Sequence, residues 1–287
     1  MKISVFLSIF ILLLCSASPA QTVFTPADKE VCSSKFTLAV DKKLNALPVN
    51  DVVAEIGKSF LGLDYEAHTL ETPGNEQLVI HLTGLDCTTF LENALVLSRC
   101  IKSGKTSFEN YQHELKNVRY RQGKIDNYPS RLHYFTDWIF DNQAKGIVKD
   151  VTAEIGGKPY DKKVSFMTAN RKEYTQISSN DKFFAEIKAQ EEAINTRKHF
   201  YIPKEEVKNF ESKIGNGYLI AITTSMKGMD VAHVGIAVRL EDGRIHFMHA
   251  PITGAKVQIT EKPLADYLMK SKSHTGIIVI QPLEPKS

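Results

Sequence analysis

The sequence predicts an α+β fold, with helices first and an antiparallel sheet after them. Three observations carry this. Apolar residues recur at helical spacing through Val52, Val53, Ile56 and Phe60, and again through Phe90, Ala94, Leu97 and Ile101. Beyond residue 216 the pattern changes to five short strand-like runs, at 218–223, 232–238, 245–250, 256–259 and 276–280. Between the second and third of these, Glu241-Asp242-Gly243 supplies a tight turn.

Taken from the N-terminus, residues 1–20 read as a signal peptide. Met1-Lys2 is weakly positive, and residues 5–14 form an apolar run broken only by Ser8. That run is shorter than the roughly 20 residues a bilayer span needs. Ser16-Ala17-Ser18-Pro19-Ala20 then offers small residues for cleavage after Ala20. Lipid anchoring through Cys15 is the lesser alternative, because Leu14 is large for the preceding position. The expected location is therefore the periplasm or cell envelope. No later segment is apolar enough for a stable membrane span.

The remaining chain, 21–287, reads as one catalytic domain with an irregular insertion at about 105–215. Residues 26–47 carry two charged, weakly helical stretches, 78–80 a short extended segment, and 181–198 a charged helix. The net charge of +3, with no dense Lys/Arg block, gives no footprint for nucleic acid. With Cys15 removed, Cys32, Cys87 and Cys100 remain. An odd number in an oxidising compartment leaves a thiol over; Cys32 and Cys100 could pair, leaving Cys87.

Cys87 opens the second helix, which Asp86 is placed to cap and Ser103-Gly104 to end. Backbone N–H groups and the helix dipole favour negative charge there, so the thiol pKa is expected to fall and an oxyanion to find donors. A thiol nucleophile needs a histidine, usually distant in sequence. His233 begins one strand and His249 ends the next, so antiparallel pairing sets them side by side as base and orienting group. His246, three residues from His249, points to the opposite face and is expected to look outward. A zinc site of His233, His246 and His249 would need all three on one side. No metal or organic cofactor is called for. His68, His81, His113, His199 and His274 attract no role.

Asp86-Cys87-Thr88-Thr89-Phe90, His233-Val234-Gly235-Ile236 and His249-Ala250-Pro251 together resemble the NlpC/P60 superfamily of cell-wall cysteine peptidases, whose fold is papain-like. The segment Ser59 to Tyr65 resembles the superfamily's stretch before the nucleophile, which implies that Tyr65 supports the oxyanion side. Leu82 to Glu92, Tyr128 to Trp138, Ala221 to Thr224 and Asp230 to Gly235 are similar to the DUF1460 family, described as N-acetylmuramoyl-L-alanine amidase-like. The resemblance implies hydrolysis of the amide between N-acetylmuramic acid and L-alanine in peptidoglycan fragments or muropeptides. A γ-D-glutamyl-diamino-acid endopeptidase and a non-catalytic peptidoglycan-binding protein are the alternatives. Gly217-Tyr218 departs from the superfamily's usual Gly-Asp. In the insertion, Ser130 and Arg131 are expected to read the substrate, Arg131 by pairing a stem-peptide carboxylate. Trp138 and Tyr134 are expected to be core, Glu92 a structural hydrogen-bonding residue, and Asp230 either an anchor of the His233 loop or solvated.

Overall fold

A computed structural model describes residues 22–253 and 255–286. The expected signal peptide, with Cys15, lies outside the described residues. Among the described residues no helix is long and apolar enough to cross a membrane.

Helices come first. Helix α1 (Pro26–Asp41) starts at Thr25, which forms a reciprocal capping box with Asp28. Helix α2 (Val49–Lys58) buries Val52, Val53 and Ile56, as its spacing requires. A two-stranded parallel pair joins β1 (Thr22–Val23) to β2 (Leu78–Val79). Helix α3 (Cys87–Lys102) is the central helix, and its residues 89–101 are all buried.

A mostly sequential antiparallel sheet follows. Its strands are β3 (Val148–Asp150), β4 (Lys158–Pro159), β5 (Phe200–Pro203), β6 (Leu219–Thr224), β7 (Val231–Arg239), β8 (Ile245–His249), β9 (Gln258–Ile259) and β10 (His274–Pro282). The order is β4-β5-β10-β6-β7-β8-β9, with β3 also pairing β10. The last strand in sequence therefore lies in the middle. Alternation along β6 assigns the two faces: Leu219 and Ala221 meet the helical core with Ile236, Met248 and Ile278, whereas Ile220 and Ile222 meet Ile202, Phe247 and Leu268 in a second core. All of β6 is buried, and Leu219 to Ile222 form a continuous apolar run rather than an alternating one before Thr223 and Thr224. The turn into β6 needs Gly217: its φ is +78°, and a Cβ would lie 1.6 Å from the Asn50 carbonyl oxygen of α2.

The insertion is more regular than expected from the sequence. It contains α4 (Phe108–Arg119) and α5 (Phe135–Ala144), then the helix Asp181–Ile194. Its polar surface hid α4, whose Tyr111, Leu115 and Val118 are buried on one side. A third apolar cluster, including Tyr128, Tyr134, Met167 and Ile187, holds the insertion together. Cys32 and Cys100 are buried free thiols, so the pairing considered from the sequence is not formed.

One buried ion pair links the helices. Arg119 Nε donates to Glu92 Oε2 at 2.7 Å, and Arg119 Nη1 to the Val79 carbonyl at 2.6 Å. The Trp138 indole donates to Glu92 Oε1 at 3.2 Å. Glu92 and Trp138 thus have the structural roles expected of them. Removing one partner strands the other charge in the core. Arg119→Met is expected to lower unfolding free energy by about 3–5 kcal/mol, measured by urea denaturation against wild type.

Candidate active site

The site begins with the helix cap. Asp86 Oδ1 accepts from the Thr89 backbone N–H at 2.7 Å, and Thr89 Oγ1 accepts from the Asp86 N–H at 2.9 Å. This box fixes Cys87 as the first residue of α3. The thiol is half-buried, 3.9 Å from Thr88 Oγ1. Backbone N–H groups of Val234 and Thr88 are directed at its sulfur. Val234 follows His233, so α3 presents Cys87 to the start of β7.

The two histidines meet as the strand order requires. His233 Nε2 and His249 Nδ1 are 2.7 Å apart, with the rings inclined at 75°. Two backbone features allow this. The pairing of β6 with β7 shifts register beside His233, between Ile222 and Thr223, and such irregularities re-aim a side chain. Gly235 lets β7 and β8 close, because a Cβ there would lie 2.5 Å from the Met248 carbonyl oxygen. Asp230 ties down the approach to β7: its buried carboxylate accepts from the Thr136 N–H at 2.8 Å and the Thr136 hydroxyl at 2.7 Å. It is an anchor, not a solvated charge.

His246 is a correction. It is buried rather than outward-facing, with Nδ1 against the Thr260 carbonyl at 2.8 Å and Nε2 against Asp242 at 3.0 Å. Both ring nitrogens are engaged away from the His233–His249 pair. Among the described residues no group of three or more His, Cys, Asp or Glu could hold a metal.

The electrostatics correct a second expectation. Burial, then the Asp86 carboxylate, pushes the Cys87 thiol up to about 11, against the opposing N–H groups. Burial, then His274, brings His233 down to about 4. Burial, then His233, brings His249 down to about 3. Desolvation outweighs the helix terminus here. These shifts leave Cys87, His233 and His249 all neutral near pH 7, with no thiolate–imidazolium pair at rest.

Tyr65 stands near Cys87 and Asp86. Burial raises its phenol to about 12, with further contributions from Cys87 and Asp86. Its backbone N–H donates to the Ala255 carbonyl at 2.7 Å, so the chain after His249 holds the Tyr65 segment in place.

Next to Asp86 and Thr88 opens a cleft of about 190 Å³, whose wall includes His68, Glu71, Arg131 and His133. Arg131 is buried there, 2.7 Å from Glu71 and 3.2 Å from Glu76, with its guanidinium over the Tyr128 ring. Its charge is met within the protein, which leaves little for a substrate carboxylate. Ser130 is not part of this wall: its hydroxyl donates to the Asn127 carbonyl at 2.6 Å and accepts from the Asp126 N–H at 3.2 Å. Tyr134 and Trp138 are core, as expected. His68 and Glu71 were not singled out from the sequence. They sit in an irregular stretch with no periodicity to mark them.

A family model described as N-acetylmuramoyl-L-alanine amidase-like matches residues 55–278. An N-acetylmuramoyl-L-alanine amidase from Bacteroides uniformis has a similar structure, at 34% identity and a TM-score of 0.78, covering 82% of this chain and 99% of that one. A Bacteroides fragilis protein provisionally named a xylanase is 34% identical with a TM-score of 0.75, over 79% and 99% of the two chains. The Legionella pneumophila protein LPG0564, matched by the DUF1460 model, is 25% identical with a TM-score of 0.66, over 91% and 98%. No curated protein sequence matches the chain.

Two expectations follow from the charges. Asp86→Asn keeps a good cap but removes the carboxylate that raises the thiol pKa. Cys87 in that variant is expected to react faster with iodoacetamide at pH 8, read by mass spectrometry of the Cys87 peptide. His133, half-buried and brought down to about 3 from an ordinary 6.5 by desolvation and then by Arg131, joins His233 and His249 in staying neutral when folded. The unfolded chain binds these protons near pH 6.5 while the folded chain does not, so stability falls as pH drops from about 7 towards 4. His133→Gln is expected to flatten that slope in melting temperature against pH.

Proposed function

Because the chain belongs to the N-acetylmuramoyl-L-alanine amidase-like family, we propose that it is a cell-wall hydrolase that cuts the amide between N-acetylmuramic acid and L-alanine by a Cys–His thiol mechanism. We assign the arrangement to the papain-like NlpC/P60 type, a helix-borne cysteine set against an antiparallel sheet that carries its histidine. One observation carries the reading: the capped Cys87 lies against the Val234 N–H, and the adjoining His233 is held by His249 at 2.7 Å. The signal-like residues 1–20 accord with export to the envelope, where such a substrate resides.

The chemistry follows from the neutral resting state. His233 Nε2 is engaged with His249, so its Nδ1 is the nitrogen that accepts the Cys87 proton. The thiolate attacks the lactyl carbonyl of the muramic acid. The developing oxyanion takes hydrogen bonds from N–H groups at the start of α3, with the Tyr65 hydroxyl as a further donor. The carbon–nitrogen bond then breaks. The departing alanine amine takes the proton from the His233 imidazolium, and the lactyl group stays on Cys87 as a thioester. Water, deprotonated by His233, attacks that thioester and restores the free thiol.

The xylanase name borne by one relative points to a glycosidase, which needs two available carboxylates across a cleft. Asp86 here caps α3, Glu92 is paired with Arg119, and Glu71 is paired with Arg131. None is free to act as acid or nucleophile, whereas Cys87 and His233 are.

Residues 21–287 and their Cys87→Ala and His233→Ala forms are to be incubated with a defined disaccharide-peptide, and the products weighed. Wild type is expected to release the intact stem peptide with a free L-alanine amine. Both variants are expected to lose at least about a thousandfold in kcat. A cut between D-glutamate and the diamino acid would move the bond to the endopeptidase alternative. Cleavage undiminished in Cys87→Ala would sink the mechanism, and no cleavage by wild type would favour a binding protein.

A further inference from the structure

The proposed role of His233 fixes the tautomers behind it. A base that accepts at Nδ1 carries its own proton on Nε2. That Nε2–H donates to His249 Nδ1, across the 2.7 Å contact. His249 must then carry its proton on Nε2. Yet His249 is 1% exposed, and its Nε2 is buried with no hydrogen-bond partner in the protein. A donor left so costs free energy in any buried site, and more at the back of a catalytic pair.

A second orphan of complementary kind lies nearby. His274 opens β10 opposite Thr224, and its Nδ1 is also buried without a partner. The Tyr267 ring links the two histidines, with its centroid 5.4 Å from His249 and 6.2 Å from His274. Burial, then the Lys204 ammonium, lowers the His274 pKa, so the ring is neutral and offers a lone pair. Lys204 itself donates to the Ser271 carbonyl at 3.0 Å, and the neighbouring Thr275 hydroxyl is taken by Thr223 at 2.8 Å.

Resting on the reading of His233 as base, we propose that His274 is a positioning residue whose Nδ1 accepts, through one buried water, the Nε2–H of His249. The water takes the His249 proton in a hydrogen bond and donates one of its own to His274. No proton is transferred. The effect is to hold His249 in one tautomer, and through it to keep the Nδ1 lone pair of His233 directed at Cys87. The sequence marks no such role for His274, because it lies 25 residues beyond His249 on the strand that closes the sheet.

Nitrogen-15 NMR of histidine-labelled full-length protein reads this without substrate, with each ring assigned by its loss in a His→Gln variant. The expected result at pH 7 is His249 protonated on Nε2, and His274 Nδ1 shifted from the free lone-pair position by hydrogen-bond acceptance. Kinetics then separate positioning from packing. His274→Asn places an acceptor oxygen near the Nδ1 position and is expected to keep kcat within about twofold. His274→Leu keeps the bulk without the acceptor and is expected to lose about tenfold in kcat at unchanged KM. The proposal is overturned by a His249 protonated on Nδ1 in wild type, by an unperturbed His274 Nδ1, or by Asn and Leu variants that behave alike. The tautomer measurement decides the matter even if the substrate proves to be another amide.

Discussion

The carboxylate of Asp86 is the constraint from which the site follows. Folded back into its cap, it starts α3 at Cys87 and so sets where the sulfur sits over β7. The same charge opposes ionisation of the thiol it positions. A helix N-terminus is ordinarily read as a place that makes thiolates. Here the cap that builds the terminus supplies a counteracting charge, and burial adds to it. Placement and activation are thus separated: the cap positions the sulfur, and on the proposed mechanism the proton leaves by way of His233.

The rest of the molecule keeps those few groups in register. Glu92, six residues beyond the cap, ties α3 to α4 and α5 through Arg119 and Trp138. Asp230 ties the approach to β7 to the first turn of α5 through Thr136. Helix α5 therefore braces both the helix that carries Cys87 and the strand that carries His233. This explains why an insertion between them in sequence carries so many buried polar residues. Each charge in that layer is matched by one of opposite sign or by backbone donors, as burial demands.

Much of this was legible in the sequence. Asp86 before an apolar stripe announced the cap and the helix, and the turn at 241–243 announced the antiparallel pair that sets His233 beside His249. Short-range chemistry decides such features, so a single chain displays them. Helix α4 was less legible because its outer face mixes charged and uncharged polar residues, Glu109, Asn110, His113 and Asn117 among them. His246 was misjudged because strand alternation gives a face and not an environment: Thr260 and Asp242 cover the face it points to. Arg131 and Ser130 were read as substrate contacts from their place in a polar, aromatic insertion that is hard to bury whole. Their partners, Glu71 and Glu76 for one and the Asn127 turn for the other, arise from tertiary structure or local backbone geometry that composition does not encode. The thiol pKa was misjudged for the same reason, since desolvation is a property of the packed site.

A second neutral histidine behind His233 has a chemical consequence. A carboxylate in the position of His249 would stabilise the imidazolium and raise the pKa of His233. His249, itself held low by burial and by His233, gives no such help. On the proposed mechanism this weakens His233 as a base for the thiol, which is hard to ionise in any case. It also makes the imidazolium, once formed, a strong acid. Amide cleavage needs that acid, because an amine leaves poorly unless it is protonated as the carbon–nitrogen bond breaks. A site tuned in this way sacrifices ease of attack for ease of expulsion. That balance suits an amide better than an ester, whose alkoxide leaves more readily.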